Sequence, residues 1–335
     1  MNLEHLKALT AVVDEGTFEA AADLLGITPS AVSQRIKALE ASVGQVLVRR
    51  RLPCTATEAG SLLLRMARQV QVLEAETSAA LGSESPARTH LPLAINADSL
   101  ATWFVPVLHE AAGWEDAVLD LHVEDQGYSS QLLREGAVMG AVTSDPVPVS
   151  GCRVELLGHM RYLPVAAPEL VGRYSASGAV DWAAMPVLKF NAKDNLQRQL
   201  LDAKGVRQSP PAHTVPSSEA FLAAAIAGLG WGMLPELQLP GRLAGLKPGP
   251  GAARQSGHSA RHGLVLLEDA AHEDVPLYWQ AWALDSQRLN RVSRAVRDAA
   301  KGQLIQAAGS GSRPAGPGQP LGATVPSRAG YRRQK

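Results

Sequence analysis

Residues 18–40, FEAAADLLGITPSAVSQRIKALE, contain two short helical patterns separated by a glycine turn. Ala20, Ala21 and Ala22 with Leu24 and Leu25 give the first pattern a face of small residues that a second helix can approach closely. Gly26 ends it. Thr28 has the side chain of an N-cap, and Pro29 suits the first helical position, where a missing N–H loses nothing. In this second helix Val32, Ile36, Leu39 and Val43 recur at helical spacing and are expected to face inward, which leaves Ser30, Ser33, Gln34 and Lys37 outward. Such a row of hydroxyl, amide and ammonium groups suits base edges and phosphates in a major groove. A plain helical hairpin with a solvated polar face is the other reading of the pattern alone.

Charge sharpens the choice. Arg49, Arg50 and Arg51 follow the second helix, where a wing beside a reading helix meets the sugar-phosphate backbone. Between residues 28 and 58 the basic side chains are Arg35, Lys37, Arg49, Arg50 and Arg51, against Glu40 and Glu58 alone. The whole chain of 335 residues balances 32 basic against 32 acidic side chains, so affinity for double-stranded DNA must come from a local patch. The candidate DNA-contacting residues are Thr28, Pro29, Ser30, Ser33, Gln34, Lys37, Arg49, Arg50 and Arg51.

An apolar fraction of 46% over this length supports a large core and more than one domain. Cys54 and Cys152 fall in segments assigned to different domains and show no metal-ligand spacing, so no disulfide is expected. Residues 3–13 enter an amphipathic helix directly, without a charged-then-apolar leader, and no apolar run approaches a membrane span. The cytoplasm is the expected location, with no membrane partner. Residues 57–81 read as one long helix on which Leu63, Met66, Val70, Leu73, Thr77 and Ala80 alternate steps of three and four. That heptad seam is expected to pair two copies of the chain through Leu63, Met66, Val70 and Leu73; a helix lying on its own domain is the alternative. Residues 83–89, with Pro86, read as a hinge.

From Leu91 the texture changes to short apolar runs at 91–96, 118–124, 138–143, 163–166, 187–191 and 233–234, alternating with helical patterns at 100–110, 130–135, 196–203 and 219–227. Such alternation predicts parallel sheets covered by helices, with a ligand at the carboxyl ends of the strands. Residues 241–263 form a long aperiodic loop. The end of the chain is rich in Gly, Pro, Ser and Ala, contains basic but no acidic residues, and is expected to be disordered with weak phosphate affinity. Catalysis finds no support: there is no G-x-S-x-G, H-E-x-x-H, C-x-x-C or phosphate-binding G-x-x-x-x-G-K-[ST]. Gly228, Gly230 and Gly232 follow a helix and precede a strand, the reverse of a dinucleotide fingerprint, so no cofactor is assigned. His258 and His262 have metal-ligand spacing only if a helix forms there, and no metal is assigned.

The string AAADLLGITPSAVSQRIKALE, followed by TEAG and the long helix, resembles the N-terminal part of LysR-type transcriptional regulators. INADSLATWF at 95–104, VEDQ at 123–126, GAVTSDP at 140–146, GCRVELLGHMRYLPVA at 151–166, AGLGWGMLPE at 227–236 and VPLYWQAWALDS at 275–286 are similar to the branch of that family that senses basic amino acids, which includes regulators of the lysine and arginine exporter. Pro29 stands where many members carry Gln, and the 241–263 loop and the tail are longer than usual. The resemblance implies an all-α winged helix-turn-helix domain at 1–58, a linker and dimerisation helix at 59–82, a hinge at 83–91, an α/β effector domain at 92–301 and a disordered tail at 302–335. The effector domain would be of the periplasmic-binding-protein-like kind, with one subdomain at 92–161 plus 268–301 and the other at 162–267. It also implies a homodimer or homotetramer, RNA polymerase as a partner, and L-lysine or L-arginine as the effector in the cleft. An amino-acid-binding protein that does not regulate, and an architectural DNA binder, are the alternatives.

A basic amino acid needs donors for its carboxylate and acceptors for two cations. Asn96, Asp98 and Ser99 lie where the first strand of this domain passes into a helix and suit the carboxylate, with Ser99 and Thr102 adding hydroxyls; Asp98 or Ser99 could instead cap that helix. Glu124, Asp125, Asp145, Asp194 and Glu219 are the acidic candidates, beside Thr143, Ser217 and Ser218. Trp231, between two glycines, could line the cleft, whereas Trp103 reads as packing.

Overall fold

The computed structural model describes residues 2–81, 88–124, 129–176, 179–239, 263–268 and 271–306. It opens with α1 (Leu3–Glu15), α2 (Phe18–Leu25) and α3 (Pro29–Val43), whose N-caps Asn2, Thr17 and Thr28 accept from the amides of Glu4, Ala20 and Ala31. Leu6, Leu9, Val12, Ala21, Ala22, Val32, Ile36 and Leu39 form their shared core. Val43, expected inside, is 38% exposed. The inward stripe stops one turn before the helix does, and the last turn carries the chain outward to the hairpin of β1 (Val48–Arg49) and β2 (Thr55–Ala56). Thr57 then accepts from Gly60 N at 3.0 Å and starts α4 (Glu58–Ala80). Gly60 is needed there: a Cβ would stand 2.0 Å from the carbonyl oxygen of Leu47.

The helix α4 carries two apolar faces. Ala67 and the half-buried Leu63 join the N-terminal core, and Val72 is buried in the core of the second domain, so Leu63 is committed within its own chain. Leu62, Met66 and Leu73 are exposed at 67%, 38% and 41%, while Val70 is half-buried. The side chain of Arg68 binds both Asp14 of α1 and the carbonyl of Gly136. Lys7 meets Glu74 at 3.1 Å.

The second domain continues with β3 (Thr89–Ile95), α5 (Ala97–Leu100), α6 (Val105–Ala111), β4 (Ala117–Val123), α7 (Ser129–Arg134) and β5 (Gly140–Thr143). Then follow β6 (Cys152–Ala166), α8 (Pro168–Arg173), β7 (Ser175–Ala176), β8 (Ala179–Val180), β9 (Val187–Lys189), α9 (Leu196–Ala203), β10 (Ala212–Thr214), α10 (Ser218–Ile226) and β11 (Gly232–Pro235). It ends with β12 (Val265–Leu266), β13 (Glu273–Trp282) and α11 (Gln287–Gln303). The main sheet runs β11-β6-β13-β5-β3-β4. Its β3 is parallel to β4 and β5, whereas β13, β6 and β11 are antiparallel to their neighbours, so the expected all-parallel sheet is mixed. The chain returns through β13, which lies alongside β6 over ten residue pairs. The apolar run at 163–166 is only the buried end of the fifteen-residue β6; Arg153 and Glu155 in its first half hide that half from a search for apolar runs. The helix read at 100–110 is two, broken where Trp103 and Phe104 turn into the core.

Two boundaries move. Residues 89–91 belong to β3 rather than to a hinge, and 83–87 of the expected hinge lie outside the described residues. Residues 302–306 are folded rather than disordered, because α11 runs to Gln303 and Ile305 pairs with His159. The rest of the tail, and residues 241–262 of the loop with His258 and His262, lie outside the described residues. Among the described residues no helix is long and apolar enough to cross a membrane.

Candidate functional site

Two sites follow from this architecture. On α3, Ser30, Gln34 and Lys37 are exposed and Ser33 is partly so, on the face opposite Val32, Ile36 and Leu39. Thr28 is engaged as the cap, at 3.2 Å from Ala31 N, and its hydroxyl lies 3.1 Å from that of Ser30. Pro29 occupies the first turn. Arg49, Arg50 and Arg51 are exposed on the hairpin; Arg50 also lies over the Phe18 ring at 5.1 Å, which fixes its guanidinium beside the helices. Arg35, which adds to the local basic charge, is tied to Glu4 at 3.1 Å.

The second site is a cleft of about 620 Å³ at the carboxyl ends of β3 and β4, walled on the other side by the β9–α9 turn and the start of α10. Of the sequence candidates, the fold brings Asn96, Asp98, Glu124, Asp194 and Ser218 into it. Asn96, rather than Asp98 or Ser99, caps α5, accepting from Ser99 N at 2.7 Å. Ser99 is wholly buried and its hydroxyl accepts from the Trp103 indole at 2.9 Å, while the Thr102 hydroxyl donates to the Asp98 carbonyl at 2.5 Å. Both are therefore spent on the local turn. Thr143 is buried behind the cleft, where its hydroxyl accepts from Asp145 N at 3.1 Å. Asp145 in turn accepts from Val147 N at 2.9 Å and belongs to its own loop. Ser217 caps α10, Glu219 points to solvent and Trp231 is buried edge-on against Trp182. None of these five residues lines the cleft. Asp125 lies outside the described residues.

Tyr162, Phe190, Asn191, Lys193, Gln199, Gln238 and Glu273 also line the cleft. Phe190, Asn191, Lys193, Gln199 and Gln238 are neither acids nor hydroxyls, Tyr162 lies within β6, and Glu273 opens a strand that contains no run of apolar residues at its start, so none carries the local signal of an acid or hydroxyl after a buried strand. Four carboxylates, Asp98, Glu124, Asp194 and Glu273, thus face a single cation, Lys193, among the described lining residues. Asp98 accepts hydrogen bonds from the Tyr162 hydroxyl at 2.9 Å and the Ser218 hydroxyl at 2.5 Å. Burial pushes its carboxyl above the usual carboxylate range; the two hydroxyls oppose that shift and neighbouring Asp194 adds to it. Asp194 accepts from Phe190 N at 2.8 Å and shapes the turn into α9. Among the described residues no group of three or more His, Cys, Asp or Glu side chains is arranged to hold a metal ion.

A capped, outward-facing helix beside a basic hairpin, joined by a long helix to an α/β domain with a cleft, has a counterpart among known proteins. Residues 3–61 match the family described as bacterial regulatory helix-turn-helix protein, lysR family, and residues 85–267 match the LysR substrate binding domain. The chain is a LysR-type transcriptional regulator. It is a DNA-binding protein and not an enzyme. This LysR-type regulator is 47% identical over 306 residues to the lysine export transcriptional regulatory protein LysG of Corynebacterium efficiens, covering 91% of this chain and 99% of that one. Solved structures similar to it include full-length LysG from Corynebacterium glutamicum with bound effector arginine, and ArgP from Mycobacterium tuberculosis. The first is 45% identical, with a TM-score of 0.72 over 91% of this chain and all of that one. The second is 47% identical, with a TM-score of 0.76 over 90% and 98%.

Proposed function

We propose that this LysR-type regulator senses a basic amino acid, L-arginine or L-lysine, and controls a gene for a basic amino-acid exporter. The observation that carries the reading is the charge of the cleft, in which Asp98, Glu124, Asp194 and Glu273 outweigh Lys193. A cavity of that sign favours a ligand that brings more positive than negative charge, and a charge-assisted hydrogen bond in it is worth about 1.5–3 kcal/mol. The arginine-bound LysG structure and the lysine-export relative support the same class of effector. Glu124 and Glu273 suit the distal cation, since neither side chain hydrogen-bonds within the described residues. Effector binding then acts on transcription through its differential affinity for arrangements of the DNA-reading domains, with α4 pairing two copies of the chain through its exposed apolar face.

Calorimetry on the full-length protein tests this. Arginine and lysine are expected to bind, and norleucine, which is similar to lysine in length but lacks its cation, to bind at least about tenfold more weakly. Equal binding of norleucine overturns the assignment. Footprinting upstream of the neighbouring gene, with and without arginine, identifies the operator; protection that ignores sequence would return the architectural reading.

A further inference from the structure

We infer that Asp98 holds the α-ammonium group of the effector and is the residue by which the cleft selects an α-amino acid over other cations. The inference deepens the proposed function and rests on its reading of the cleft as an amino-acid site. Asp98 carries a buried carboxyl in a cleft, yet both of its hydrogen bonds come from neutral hydroxyls, and its charged neighbour Asp194 is another acid. Buried carboxylates are normally matched by a cation. A ligand ammonium entering the cleft supplies that cation at the place where burial makes the interaction strongest, and the two hydroxyls still leave the carboxylate lone pairs to accept from it.

A second observation assigns this ammonium to the α-carbon. Two residues before Asp98, Asn96 is 4% exposed and lines the same cleft. Its carbonyl oxygen is taken by Ser99 N, but its buried amide nitrogen has no hydrogen-bond partner. An orphaned donor and an under-compensated acceptor on one short turn are the complement of a carboxylate and an ammonium on one carbon. A distal ammonium or guanidinium carries no neighbouring anion and would leave the Asn96 donor unmet.

The position has a structural consequence for selection. Ser218, which donates to Asp98, accepts from the Gln238 side chain at 2.6 Å, so Asp98 is joined to the start of α10 and to the segment after β11 on the far wall of the cleft. A head group bound at Asp98 therefore touches the point at which the two walls meet.

The test is calorimetry of the full-length protein with L-arginine and with 5-guanidinopentanoic acid, which keeps the carboxylate and guanidinium and lacks only the α-amine. Wild type is expected to prefer L-arginine by about 10- to 150-fold, the range of one charge-assisted hydrogen bond. Asp98→Asn should collapse that ratio to within about threefold while binding of 5-guanidinopentanoic acid is retained, which also reports that the cleft is intact. A ratio unchanged in Asp98→Asn overturns the inference. So does wild type that binds both ligands alike, a result that needs no variant to fold. If the protein instead binds norleucine as tightly as lysine, the basic-amino-acid reading fails separately. Norleucine against hexanoic acid then puts the same question to Asp98.

Discussion

At position 60 the space for a side chain is filled by the Leu47 carbonyl, and at position 34 a side chain faces open solvent, so these residues fail in different ways when changed. Gly60→Ala is expected to lower stability by about 1–3 kcal/mol, read as a shift in the urea midpoint, because backbone rather than a flexible side chain must move. Gln34→Ala should leave stability unchanged and cost about 1–3 kcal/mol on the specific operator with little loss on random DNA, whereas Arg50→Ala should weaken both in a binding titration. Equal losses on both DNAs would remove Gln34 from the reading role. Asp98 adds a pH dependence. Its folded-state pKa lies above the unfolded value because burial disfavours the anion, so the folded protein holds the extra proton between the two. Its stabilising contribution is full below the ordinary carboxylate range, about pH 4, and is lost as pH rises through the raised value. Thermal melts across that window should fall more steeply for wild type than for Asp98→Asn.

The helices of the N-terminal domain were legible because their signals are local. Thr17 and Thr28 cap through hydrogen bonds to amides three residues on, and Gly16, Gly26 and Gly44 close each helix at positive φ. The helix α4 was legible in extent but not in which face is used. Leu64, Ala67 and Val72 are buried in the chain while Leu62, Met66 and Leu73 are exposed, and a heptad pattern does not say which stripe has a partner. The exposed stripe sets the prediction: Leu73→Glu should lower the mass seen by light scattering while leaving the melting temperature of each domain near that of wild type. An unchanged assembly would assign that stripe elsewhere. The strand β6 escaped detection for the opposite reason, since its charged first half forms a long ladder with a strand more than a hundred residues away.

At the scale of the whole molecule, the cleft was only partly legible. Asn96, Asp98, Glu124, Asp194 and Ser218 lie at strand ends or helix starts that a sequence can locate, but Tyr162, Gln238 and Glu273 meet them only through the tertiary fold, which no local pattern encodes. The ribbon of β6 and β13 that carries the return of the chain has one fault. Its register shifts between Leu277 and Tyr278, so Leu157 is left without a rung, and next to it Gly158 adopts a φ of +137°. A Cβ at Gly158 would lie 2.9 Å from both the Ile305 carbonyl oxygen and the Leu304 Cβ, so the segment that follows α11 presses directly on the fault. Mechanically the ribbon is a leaf spring with a single soft point and a clip over it. Its stiffness is then expected to depend on residues 304–306, which do not line the cleft. Gly158→Ala should lift that clip, and hydrogen exchange should then quicken at 156–160 and 276–280 while the amides of α3 keep their protection.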